Sequence, residues 1–243
     1  MDPPPALISA LRNSSRTVVL TGSGISAESG VPTFREAQTG LWERFDPQEL
    51  ATPEAFERDP KLVWDWYAWR RKLVARAAPN PGHLALAALQ DTSQNFTLVT
   101  QNVDGLHQRA GSRDVIELHG NILRTRCSVE GVEVDEYEES ESPPVCPSCG
   151  APLRPDVVWF GEMLPPGALD AASEAARGAS LFLSVGTSSL VYPAAALPYE
   201  AFESGATLVE INPKDTPLTP HVDCALRGPA GDVLPRLIRQ LRE

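Results

Sequence analysis

Three short polar segments and a set of cysteines hold the side chains of this chain that could do chemistry. The first is Gly22-Ser23-Gly24-Ile25-Ser26-Ala27-Glu28, which fits G-x-G-x-x-G/A directly after an apolar run. Glycines at this spacing let the backbone approach a pyrophosphate whose charge a helix N-terminus can carry, so the loop is a candidate for a dinucleotide. Alone, it could also be a plain glycine-rich turn. The second is Gln101-Asn102-Val103-Asp104. Its amides and carboxylate suit a carboxamide and ribose hydroxyls, while Asn102 or Asp104 could instead cap the loop. The third is His119, which ends the run Val115-Ile116-Glu117-Leu118. An imidazole with a pKa near neutrality can take a proton at pH 7. Of the other histidines, His83, His107 and His221 have no comparable setting. Finally, Cys146-Pro147-Ser148-Cys149 is a C-x-x-C knuckle with Cys127 upstream, a spacing that suits a structural zinc ribbon.

These groups need a scaffold that brings them to one edge. Apolar runs at residues 17–20, 97–100, 115–118, 181–185 and 207–211 each end in polar or glycine-rich turns, as buried parallel strands do. Helical patterns lie between them at residues 81–90, 167–177 and 193–202, and a last helix at 232–242 puts Leu234, Leu237, Ile238 and Leu241 on one face. The alternation predicts an α/β fold, a Rossmann-like domain with a parallel sheet. Ligands bind at the carboxyl ends of such strands, where all three polar segments fall. Residues 1–35, 78–120 and 155–243 make up this domain. Residues 36–77, helical and rich in aromatics, and 121–154, with the clustered cysteines, are read as insertions forming a small second domain with a helical part and a zinc-ribbon-like part.

The continuation of the first loop, through Ser29-Gly30-Val31-Pro32-Thr33-Phe34-Arg35, together with Gln101-Asn102-Val103-Asp104 and Glu117-Leu118-His119-Gly120, closely resembles the sirtuins, NAD-dependent protein lysine deacylases. One departure is Ser23, where that family usually has alanine. The resemblance implies an enzyme that consumes NAD as co-substrate. The acyl oxygen of a modified lysine displaces nicotinamide at the ribose C1′, His119 serves as general base on a ribose hydroxyl, and the products are free lysine and O-acyl-ADP-ribose. It places Gly22, Ser23, Gly24, Ala27, Glu28, Phe34, Arg35, Gln101, Asn102 and Asp104 around NAD. It adds Gly186, Thr187, Ser188, Asn212 and Ala230, from three later turns, to the adenosine half. It also implies that Val158, Phe160, Gly161 and Glu162 border the substrate peptide, opposite an edge at residues 189–192.

Tyr67 and Arg70 lie three apart in a helix expected over residues 61–77, so they share a face. By themselves they read as a core aromatic beside a snorkelling arginine. The motif Tyr-x-x-Arg also resembles class III sirtuins, whose pair reads a carboxylate at the far end of the acyl chain. That resemblance implies removal of succinyl or malonyl groups, and acetyl groups weakly. Where the family opens its metal site with a second C-x-x-C, this chain has Cys127-Ser128-Val129-Glu130. Two readings stay open: a zinc held by Cys127, Cys146, Cys149 and Glu130, or a hairpin that folds without metal. Cys224 lies far off and reads as a small buried hydrophobe.

Composition bounds the alternatives. The 243 residues carry a net charge of −11, which argues against a nucleic-acid partner. Much of the acid is in Glu130, Glu133, Asp135, Glu136, Glu138, Glu139 and Glu141, read as a solvated loop or as steering for basic, lysine-bearing protein substrates. No apolar run is long enough to span a membrane, and the start Met1-Asp2-Pro3-Pro4-Pro5 lacks signal-peptide character, so the expectation is a cytoplasmic protein, a monomer whose partners are acylated-lysine proteins. A dehydrogenase would need a ribose-binding acid at the end of a second strand, and Leu41-Trp42-Glu43 lies in a helical context instead. A mono-ADP-ribosyltransferase and a non-enzymatic NAD-sensing module are the competing functions. His119 argues against the sensor, which needs no proton acceptor.

Overall fold

Short runs such as Thr17-Val18-Val19-Leu20-Thr21 have β-branched residues on both faces, so they are extended only where both faces are covered. That cover is present. A computed structural model describes residues 3–31, 46–138 and 140–242. Its strands are β1 (Thr17–Thr21), β2 (Phe96–Thr100), β3 (Ile116–Glu117), β4 (Gly120–Cys127), β5 (Leu153–Val157), β6 (Leu181–Val185), β7 (Thr207–Ile211) and β8 (Cys224–Leu226). A parallel sheet has the order β3-β2-β1-β6-β7-β8, and β4 pairs antiparallel with β5 apart from it.

The helices are α1 (Pro5–Asn13), α2 (Pro47–Leu50), α3 (Pro53–Arg58), α4 (Pro60–Arg76), α5 (Pro81–Thr92), α6 (Leu106–Arg109), α7 (Pro166–Arg177), α8 (Leu197–Glu203) and α9 (Ala230–Arg242). Val19, Leu98, Leu183 and Val209 pack on one face of the sheet against Leu7 and Leu11 of α1, Leu86 and Leu89 of α5, and Leu234 and Leu237 of α9. Their neighbours Val18, Leu20, Val99, Phe182 and Leu208 pack on the other face against Ala172 and Ala176 of α7 and Leu197 and Ala201 of α8. Each such valine or leucine contributes roughly 1.5–3 kcal/mol by leaving water. A third cluster joins Phe56 of α3, Val63, Trp66 and Tyr67 of α4, Ile122 of β4, and Val157 and Trp159.

Two caps set where the long helices begin. The Asp59 side chain accepts from Leu62 N at 2.9 Å ahead of Pro60 in α4. Asn80 Oδ1 accepts from Gly82 N at 2.9 Å, while His83 Nδ1 accepts from Asn80 N at 3.3 Å, closing a reciprocal box at α5. The strands and helices expected from the alternation are present. β4 and β5 flank the segment expected as a cysteine hairpin, β8 and α1 are additional, and the region expected at residues 193–202 is a 3-10 turn leading into α8. No helix among the described residues is long and apolar enough to cross a membrane.

Candidate active site

The chain runs outward from β1 to β3, then returns to lay β6 on the other side of β1. The strand order therefore reverses between β1 and β6, and the crevice above that reversal is where open α/β sheets take ligands. The loop after β1 is built for contact with the loop after β6. Gly22 N donates to Val185 O at 3.1 Å and Gly24 N to Gly186 O at 2.8 Å. A Cβ on Gly24 would lie 2.6 Å from Gly186 O. The glycine spacing is thus required first by this backbone-on-backbone contact, which makes the floor of the crevice. Ser23 and Gly24 lie in one 3-10 turn, and Ala27 and Glu28 in the next. Glu28 has a structural partner that sequence reasoning did not foresee. Its carboxylate accepts from Gly231 N at 2.8 Å, capping the start of α9 beside buried Ala230. Phe34 and Arg35 lie outside the described residues.

Across the crevice, Gln101 Nε2 donates to Thr187 Oγ1 at 3.0 Å, and Asn212 Nδ2 donates to Thr187 O at 2.8 Å. These bonds link the ends of β2, β6 and β7. In the same loop as Thr187 and Ser188, the Ser189 hydroxyl is buried with no hydrogen-bond partner among the described residues. A buried orphan hydroxyl in a crevice rimmed by amides and hydroxyls fits a polar ligand such as a dinucleotide.

Asn102 and Asp104 meet at Ser26. Asn102 Nδ2 donates to Ser26 Oγ at 3.1 Å, and Ser26 Oγ donates to Asp104 Oδ2 at 2.7 Å. Asp104 Oδ1 accepts from Leu106 N at 2.9 Å. Burial raises the Asp104 pKa, opposed by the Leu106 N–H and the Ser26 hydroxyl. Beneath them lie His83 and His107, which sequence reasoning had set aside. His83 Nδ1 accepts from a backbone N–H, so its Nε2 carries the proton and donates to Ser26 Oγ at 3.3 Å. His107 Nε2 lies 2.9 Å from Thr21 Oγ1, and the two imidazoles meet edge to face at 4.9 Å. Burial lowers the His83 pKa to about 4; burial and the neighbouring His83 lower that of His107 to about 3. Both rings are neutral supports under the polar rim.

His119 has the geometry of a base. Its Nδ1 donates to Gln101 O at 2.9 Å, because a carbonyl can only accept, and this leaves the Nε2 lone pair free. Burial lowers its pKa, opposed by the Gln101 carbonyl, so the ring is neutral at pH 7. Its own carbonyl accepts from Val158 N at 2.9 Å. The segment after Val158 is an irregular loop in which Phe160 and Gly161 are exposed. Glu162 is turned inward. Its two oxygens take Arg154 Nη1 at 2.6 Å and Nη2 at 2.9 Å, and Oε2 also accepts from Trp159 N at 2.8 Å. These bonds occupy Glu162 structurally. The residues at 189–192, expected to be the opposite edge, form turns and bends rather than a strand.

Tyr67 is buried on α4, and its hydroxyl accepts from Trp159 Nε1 at 3.0 Å. Burial pushes the phenol pKa up, so it is neutral. The Arg70 guanidinium carbon is 5.2 Å from the centre of the Trp66 ring.

The cysteine segment closes on itself. Ligand atoms of Cys127, Glu130, Cys146 and Cys149 all lie within 4.8 Å of one another. Gly131 N donates to Cys127 O at 3.1 Å and Gly150 N to Cys146 O at 2.8 Å, so Cys127–Glu130 and Cys146–Cys149 make the same knuckle turn. Three thiols and a carboxylate in this arrangement fit a tetrahedral structural zinc. Trp64 of α4 packs on Cys127 and Cys146. Cys224 is half-buried in β8, far from this cluster in sequence.

Residues 22–193 match the model of the Sir2 family. The NAD-dependent protein deacylase of Aquifex aeolicus (strain VF5) is 56% identical over 228 residues, covering 93% of this chain and 95% of that protein. A solved Sir2 homolog–NAD complex superposes with a TM-score of 0.93 at 48% identity, covering 98% of this chain and 94% of the other. A Sir2 homologue variant in complex with 2′-O-acetyl ADP ribose superposes at 0.91, also 48% identical, covering 99% and 97%.

Proposed function

Because this chain belongs to the Sir2 family and is an NAD-dependent protein deacylase, we propose that it removes succinyl and malonyl groups from lysine faster than acetyl groups, releasing nicotinamide and O-acyl-ADP-ribose. One observation carries the acyl preference. Tyr67, with Arg70 a turn further along α4, reaches Trp159, whose neighbour Val158 is bonded to the carbonyl of His119. The pair that would read the acyl chain is thereby connected to the strand end that holds the base.

When bound, NAD supplies an electrophilic ribose carbon and carries the acyl group away. The protein's part is positional and acid–base. The floor made by Gly24 and Gly186 and the rim of Gln101, Asn102 and Thr187 hold the polar ligand. His119 Nε2 takes a proton from a hydroxyl presented to it, while the Gln101 carbonyl keeps the ring in the required tautomer. Tyr67 is neutral and Arg70 cationic, so both offer donors, which match a carboxylate and have nothing to offer a methyl group. On the same reading, the described parts of residues 36–77 and 121–154 belong to a small domain inserted in the NAD-binding one (residues 36–45 and 139 lie outside the described residues), and zinc on Cys127, Glu130, Cys146 and Cys149 is structural.

A hydrogen bond to a charged group contributes roughly 1.5–3 kcal/mol, equivalent to roughly 10- to 150-fold in succinyl over acetyl. Arg70→Met should therefore lower the succinyl-to-acetyl ratio of kcat/KM by at least about tenfold. A ratio unchanged by Arg70→Met, measured on otherwise identical peptides, would return Tyr67 and Arg70 to packing roles.

A further inference from the structure

Trp159 is buried, and Phe56, Tyr67 and Arg154 lie against its ring. Its ring lies 5.2 Å from that of Phe56, and the Arg154 guanidinium carbon is 3.3 Å from its centre on the face. Arg154, itself buried, is held there by both oxygens of Glu162 and by the Val157 carbonyl at 2.9 Å. Glu162 also takes the Trp159 backbone N–H, so ring and backbone are clamped by the same pair of charges. A guanidinium this close to an indole, with its charge paired, stabilises the ring in one orientation. The indole N–H then has one acceptor, the Tyr67 hydroxyl at 3.0 Å.

That bond decides what Tyr67 can do. A phenol has one proton and acceptor lone pairs. With an N–H already donated to the oxygen, the phenol's own proton is directed elsewhere. Among the described residues the Tyr67 hydroxyl donates to no side chain or carbonyl. We infer that Trp159 is a positioning residue for acyl selection: its indole N–H holds the Tyr67 hydroxyl as a donor for an acyl carboxylate, and the Arg154–Glu162 pair holds the indole. The inference rests on the proposed reading of Tyr67 and Arg70 as the acyl-carboxylate pair. Donating to one side also polarises the phenol, strengthening the bond it gives on the other.

The test measures kcat and KM for succinyl- and acetyl-lysine peptides of one sequence in wild type, Trp159→Phe, Tyr67→Phe and the double variant. Trp159→Phe should lower the succinyl-to-acetyl ratio of kcat/KM about 5-fold, the size of one neutral hydrogen bond, chiefly through KM for the succinyl peptide. Tyr67→Phe should lower the ratio further, and the double variant should go no lower than Tyr67→Phe alone. If Tyr67→Phe lowers the ratio and Trp159→Phe does not, or if Trp159→Phe slows both substrates equally, the role of Trp159 is overturned while the acyl reading stands. If Tyr67→Phe leaves the ratio unchanged, the acyl reading falls first.

A second measurement avoids any folding defect of the tryptophan variant. With 15N-labelled indoles, one resonance of the five tryptophans should shift in Tyr67→Phe, and the same resonance in wild type should respond more to the succinyl than to the acetyl peptide. Equal responses to the two peptides would contradict the inference.

Discussion

His119 is the residue on which we propose that turnover depends. Its tautomer is imposed by the Gln101 carbonyl, and burial keeps it neutral, so Nε2 is a base at physiological pH. His119→Ala should abolish deacylation, while the dissociation constant for NAD changes by less than about 1.4 kcal/mol, tenfold. The bonds that shape the crevice come from Gln101, Asn102, Thr187 and Asn212. Isothermal titration with NAD beside a peptide assay separates the two quantities. Residual turnover within tenfold of wild type would remove His119 from its role.

Among the elements, α4 carries the proposed acyl-reading pair and packs on the cysteine cluster. Tyr67 and Arg70 lie along it, Trp64 packs on Cys127 and Cys146, and Arg71 Nε donates to Ile122 O at 2.6 Å and Nη2 to Arg124 O at 2.8 Å. The cysteine hairpin therefore buttresses the helix that would read the acyl chain. With Glu130 as a ligand, the purified protein should carry about one zinc per chain, and Glu130→Ala should lose it to a competing chelator at a concentration at least about tenfold lower. Glu130→Cys should hold it more tightly. A wild type that is metal-free and melts at the same temperature with and without chelator would favour the hairpin that folds without metal. Thiolate softness is the reason for the expected order, since carboxylate contributes less to a site otherwise made of sulfur.

At the scale of the whole molecule, the buried pair His83 and His107 makes stability depend on acid. Burial lowers the His83 pKa to about 4 from the ordinary 6.5, and that of His107 to about 3. Between those values and 6.5 the unfolded chain binds more protons, so this contribution is complete above about pH 6.5 and declines as pH falls through the window, by about 1.4 kcal/mol per unit for each ring. The denaturant midpoint should fall from pH 7 to pH 5, and less so in His83→Asn; equal slopes would contradict the assignment. These two histidines also mark what was legible in the chain. Periodicity and strand-end residues located the four five-residue strands of the sheet, the short β3, the glycine loop, His119 and the clustered cysteines, because each is a local pattern. They passed over His83, which meets Ser26 from 57 positions away, and the bond that Glu28 makes to Gly231, 203 positions away. Contacts of that range are made by the topology and leave no local signature. The cysteine hairpin was legible only as a hairpin, without the bounds of β4 and β5, because Arg124, Thr125 and Arg126 break the apolar alternation of β4. The acyl preference is open to a single competition. Succinyl- and acetyl-lysine peptides in equal amounts share limiting NAD, and the nucleotide products are counted by mass spectrometry. O-succinyl-ADP-ribose should exceed O-acetyl-ADP-ribose by at least about tenfold, with the two together equal to the nicotinamide released. Equal products, or an excess of the acetyl product, would contradict it.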